Sequence, residues 1–81
     1  MTTQAAQTTT APVPVGQGSH MYLLTLDKPG QVSGSWHGTW TPPPGATRHD
    51  VLVQFTKEIE EEDPRFVGAT IAFFSLEPNQ L

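Results

Sequence analysis

One stretch of the chain is apolar on both alternating faces, a second alternates with a period of two, a third repeats apolar residues at helical spacing, and a nearly unbroken apolar run follows near the end. From about His20 to Leu26, Tyr22, Leu24 and Leu26 fall on one face of an extended segment, and Met21, Leu23 and Thr25 fall on the other. Because both faces are partly apolar, the pattern predicts a central strand. Asp27-Lys28-Pro29-Gly30 then forms a turn signal, with proline presetting φ at one central position and glycine accepting positive φ at the next. A second strand is expected over about Gln31 to Thr41, with Val32, Gly34, Trp36, Gly38 and Trp40 on one face and Ser33, Ser35, His37 and Thr39 on the other. The glycines beside Trp36 leave room for the indoles to lie over the backbone, or for another element to approach it. Pro42-Pro43-Pro44-Gly45 ends the strand, since proline donates no ladder hydrogen bond.

Thr47-Arg48-His49-Asp50 reads as a capping box: the Thr47 hydroxyl can accept from a free amide of the first turn and Asp50 can reach back. The helix that follows runs from about Arg48 to Glu62. Val51, Leu52, Phe55 and Ile59 make its apolar stripe, while Gln54, Lys57, Glu58 and Glu61 face water. Asp63-Pro64 stops it, because the residue before proline is pushed out of the α region. The apolar run from about Arg65 to Leu76 predicts a third strand, with Val67, Ala69, Ile71 and Phe73 on one face and Thr70, Ala72, Phe74 and Leu76 on the other.

The predicted fold is therefore a small α+β domain in ββαβ order, a three-stranded sheet with one helix packed on one face. If strands on either side of the helix run parallel, their crossover should be right-handed. The order is similar to the β-grasp topology of ubiquitin-like proteins, in which the last strand pairs with the first. The resemblance is topological: the chain lacks further strands and ends in Asn79-Gln80-Leu81, without the paired glycines that ubiquitin-like modifiers use for conjugation. One domain over residues 19–81 is expected, behind a disordered tail over 1–18 that is rich in Thr, Gln, Ala and Pro and has little apolar content to offset its ordering entropy. Gly18-Ser19-His20-Met21 matches a common tag-cleavage remnant, but the residues before it match no purification tag.

At 81 residues the chain has material for a single thin core, which favours binding over catalysis. It contains no cysteine, which rules out disulfides, thiolate metal sites and cysteine nucleophiles and accords with a cytoplasmic protein. No stretch approaches the length of a membrane span, so no membrane partner is expected. With a net charge of -4 and Lys28, Arg48, Lys57 and Arg65 scattered along the sequence, no nucleic-acid partner is expected either.

Few residues offer chemistry. His20, His37 and His49 show no metal-ligand spacing, no glycine-flanked elbow surrounds Ser33, Ser35 or Ser75, and no phosphate-binding glycine loop is present. No catalytic residue, metal or cofactor is therefore assigned. One helix covers one face of a sheet whose first and third strands are apolar on both, so the expected function is an interaction module. It would bind a protein partner or form a homo-oligomer, with Trp36, Trp40 and Phe74 as anchors. The alternative is a small-ligand site along Trp36 and Trp40, with His37 or His49 supplying a polar contact; a small hydrolase is a third reading. Glu58, Glu60, Glu61, Glu62 and Asp63 crowd the helix C-terminus against the macrodipole, an arrangement that a basic partner surface would relieve.

Overall fold

Strand β1 (His20–Lys28) lies in the middle of a three-stranded sheet of order β2-β1-β3, flanked by β2 (Val32–Trp40) and β3 (Thr70–Pro78). The structure, a computed structural model, describes residues 16–81. Most of the tail expected over 1–18 lies outside the described residues; Gln17 and Gly18 lie within them and are hydrogen-bonded to Asn79 and Thr39. A Cβ on Gly18 would sit inside van der Waals contact with the Trp40 backbone, so only glycine fits there.

The hairpin joining β1 to β2 closes where the sequence predicts. The Gln31 amide donates to the Lys28 carbonyl at 2.9 Å, and Gly30 takes φ 77°, which fits a turn with Pro29 and Gly30 at its centre. Helix α1 (Arg48–Glu62) spans the predicted residues and carries the predicted capping box. The Asp50 amide donates to Thr47 Oγ1 and the Thr47 amide donates to Asp50 Oδ2, each at 3.1 Å. The Arg48 side chain crosses to β3, donating from Nε to the Leu76 carbonyl at 2.9 Å, and so ties the start of the helix to the end of the last strand.

Both outer strands run antiparallel to β1 and are thus parallel to each other, with α1 in the crossover between them. The last strand pairs with the first, as in the β-grasp order, but in antiparallel sense. The third strand begins later than the sequence pattern indicates. Residues from Arg65 onward are not yet strand: Pro64–Phe66 form a 3-10 turn whose N-cap, Asp63, accepts from the Arg65 amide at 3.1 Å, and Gly68 then turns the chain with φ 81°. A bulge also interrupts β3. Phe73 pairs with Thr25 and Ile71 pairs with Leu26, which leaves Ala72 as the extra residue and breaks the period of two expected over Ile71 and Phe73.

Leu24 and Leu26 are fully buried under α1 and the 3-10 turn, and Val51, Phe66 and Leu76 are nearly so. Leu52, Phe55, Ile59, Trp36 and Phe74 pack around them. A fully buried leucine contributes roughly 1.5–3 kcal/mol. With so few buried side chains, the stability of the domain rests on a short list of contacts. Replacing Leu24 by Ala should cost about 2–5 kcal/mol, comparable with the total stability of so small a domain. Thr47→Ala should cost about 1 kcal/mol, read as a lower urea midpoint at unchanged slope.

Candidate functional site

The seam between β2 and α1 is built from the alternation of glycine and aromatic residues on β2. Trp36 inclines toward Gly34, where an added Cβ would lie 3.0 Å from its ring, and meets Phe66 edge-on at a centroid distance of 5.1 Å. Tyr22, opposite Gly38 in the sheet, lies over that glycine, where an added Cβ would lie 3.3 Å from its ring. Phe55 of the helix reaches down between the strands' rings, 4.6 Å from Tyr22 and 5.0 Å from Trp40. Both tryptophans are thus half-buried packing partners beneath the helix. Phe74, paired with Leu24, belongs to the same covered side. The three aromatic anchors expected for an uncovered face are placed on the covered one.

Two hollows lie along this seam. One, of about 180 Å³, is lined by Tyr22, Trp36 and Phe55, floored by Leu24 and Ile59, and rimmed by Glu58 and Glu62. The second, of about 290 Å³, lies beside Trp40 and is walled by Pro43, Pro44, Ala46 and Gln54. His37 is on the opposite face of the sheet and His49 is exposed on the first turn of α1, and neither lines these two hollows. His20, at the start of β1, meets the Ser19 hydroxyl at 2.8 Å from Nδ1. Ser35 is engaged with Thr25, hydroxyl to hydroxyl at 2.8 Å. The structure does not bring the three histidines together, and among the described residues no group of three His, Cys, Asp or Glu side chains is placed to hold a metal.

The acidic run is divided by its surroundings. Asp63 accepts two hydrogen bonds from Arg65 Nε and one of 2.6 Å from Nη2, so this carboxylate is consumed locally. Those hydrogen bonds lower its pKa; desolvation opposes them, and the Arg65 amide and charge reinforce them. The same contact raises the pKa of Arg65. Glu58 accepts from Gln54 Nε2 at 3.0 Å, one turn away. No basic residue stands in the last turn of the helix, so Glu60, Glu61 and Glu62 oppose the macrodipole there.

Among the described residues, no helix lies over the other face of the sheet. Following the register, its rows are Thr39, Met21 and Glu77; then His37, Leu23 and Ser75; then Ser35, Thr25 and Phe73. Met21 and Phe73 are about half exposed, at 49% and 52%. An apolar stripe therefore runs along the middle strand and ends at Phe73, with a column of hydroxyls and one imidazole beside it on β2.

No family model, curated protein or solved structure matches the chain. Any functional reading rests on the residues themselves. Sequence reasoning found both tryptophans and the acidic helix end but not their convergence with Tyr22 and Phe55. The available signal was the spacing Phe55, Glu58, Ile59, Glu62, which puts two carboxylates along the edge of the apolar stripe.

The Asp63 contact gives a pH prediction. A carboxylate whose folded pKa is depressed contributes stability that is fully present above the ordinary value of 3.8 and is lost as pH falls through the lower folded value. Asp63→Asn keeps a capping oxygen but removes the charge. The variant should melt below wild type at neutral pH, and the gap should close on acidification below about pH 4, followed by circular dichroism.

Proposed function

We propose that the chain is a non-catalytic interaction module that self-associates through the uncovered face of its sheet, and that it works in the cytoplasm. The observation that carries the reading is the half-exposed Met21 and Phe73 on either side of Leu23 and Thr25, on a face that no described element covers. A thin core gains from covering such a stripe. A second copy is favoured over an unrelated partner by the charge distribution. The chain carries a net charge of -4, yet the rows of this face hold only Glu77 and Asp27, one toward each end of β1. Two such faces can meet with their apolar centres in register and without strong repulsion, whereas the helix side, with its glutamates, cannot.

Support for binding rather than catalysis comes from the separated histidines and from Ser35 being tied to Thr25. The cytoplasmic assignment rests on the lack of cysteine, and among the described residues no helix is long and apolar enough to cross a membrane.

The size of the face sets the expected strength. Three strands about 4.8 Å apart and nine residues long give a footprint of roughly 400 Å² per copy, about half of what a standard stable complex buries on each partner. The dimer should be weak and concentration-dependent. Light scattering should show the mass rising from 8.8 kDa toward twice that value as concentration increases into the high micromolar range. Leu23→Glu should hold the chain monomeric with its helix content unchanged. A wild-type chain that stays at the monomer mass throughout would defeat the proposal.

A further inference from the structure

The 180 Å³ hollow at Trp36 lies on the opposite side of the sheet from the proposed docking face, and its chemistry stands independently of that reading. Its walls are three aromatic side chains, Tyr22, Trp36 and Phe55, from a strand, a second strand and the helix. Its rim carries Glu58 and Glu62, one helical turn apart. Ring faces attract a cation held within about 6 Å of their centroids, and nearby carboxylates add to that attraction. We infer that this hollow is a binding site for a small organic cation, a methylated ammonium headgroup.

Two observations favour this ligand over others. First, like charges at this helical spacing repel each other, the Gln54 amide that donates to Glu58 brings no charge, and no cation among the described residues lines the hollow. Arg48 pairs with Glu77 and Arg65 with Asp63, Lys28 donates to the Val67 carbonyl, and Lys57 does not line the hollow. A bound cation would relieve both this repulsion and the opposition to the helix dipole. Second, the hollow is smaller than the roughly 300 Å³ at which pockets begin to enclose drug-sized ligands, so it suits a headgroup whose remainder projects into solvent. A strongly hydrated inorganic ion is disfavoured, because the aromatic walls give no oxygen ligands in exchange for its water. A methylated ammonium carries its charge behind weakly hydrated methyl groups that pack against rings.

The two tryptophans provide the readout and its control. In the uniformly nitrogen-labelled full chain, titration with choline should shift the Trp36 indole N–H saturably, while Trp40, which does not line this hollow, moves less. The neutral isostere 3,3-dimethylbutan-1-ol should bind at least roughly tenfold more weakly, since it fills the same space without the charge. The double variant Glu58→Gln, Glu62→Gln changes two helix-rim side chains and should keep the fold, checked by circular dichroism, while losing roughly five- to tenfold in choline affinity. Parallel titration with Nε-trimethyllysine separates the sources: tighter binding of the lysine derivative points to a modified protein side chain, and tighter binding of choline to a choline headgroup. The inference is overturned if Trp36 shows no saturable shift with any of the ammonium compounds, if the neutral alcohol binds as well as choline, or if the double variant binds choline as tightly as wild type.

Discussion

The burial of Leu24 and Leu26 beneath α1 and Phe66 is the contact around which the rest of the structure is arranged. Among the described residues these two side chains sit on the one strand with neighbours on both sides, and they form the floor of the core. The helix has to lie across them, and the capping box at Thr47 and Asp50 together with the Arg48 contact to Leu76 determine where it starts. The 3-10 turn has to fold back so that Phe66 closes the other end. Each of these local devices gives a modest gain, and each becomes decisive because the core it serves is small.

Much of this could be read from the sequence because the local and global preferences agree. The helix is bounded at one end by a side chain that can satisfy free amides and at the other by a residue that cannot remain helical before proline. Both are chemical signals at single positions, Thr47 and Asp63, and both ends fall where those residues place them. The start of the third strand was not legible for the opposite reason. Phe66 and Val67 are apolar and look like strand residues, but the chain there is governed by the Asp63 carboxylate capping the Arg65 amide and by positive φ at Gly68. The bulge at Ala72 left only a faint mark in the sequence: Thr70 and Ser75, five residues apart, share the open face only if one extra residue lies between them, and the apolar residues on both faces outweigh that cue.

The seam shows a similar limit. Glycines at alternate positions of β2 left room either for the indoles to lie over the backbone or for another element to approach, and both occur: Trp36 and Phe66 lie beside Gly34, and Tyr22 of the neighbouring strand lies beside Gly38. Which rings would gather was not announced. That depends on the rotation of the helix about its axis, which brings Phe55 down between Tyr22 and Trp40 and turns Glu58 and Glu62 toward Trp36. A sequence fixes such a rotation only through the centre of its apolar stripe, and residues on the edge of the stripe, as these glutamates are, can end on either side of it.

A single helix over a three-stranded sheet necessarily leaves two unlike surfaces, and here the same strand supplies both. Even-numbered residues of β1, Tyr22, Leu24 and Leu26, face the helix, while Met21, Leu23 and Thr25 face away from it. A slip of one residue would exchange the two sets, bringing Thr25 into the core and exposing Leu24. Register therefore decides which side chains each surface presents. It is held on one side by the tight Pro29-Gly30 turn and on the other by the bulge at Ala72, which sets Ile71 beside Leu26 while Phe73 stays beside Thr25 on the open face. Charge follows the same division, since the glutamates of α1 lie on the helix side and the centre of the open face carries none. The two surfaces differ in what they can attract, and occupation of one leaves the other accessible.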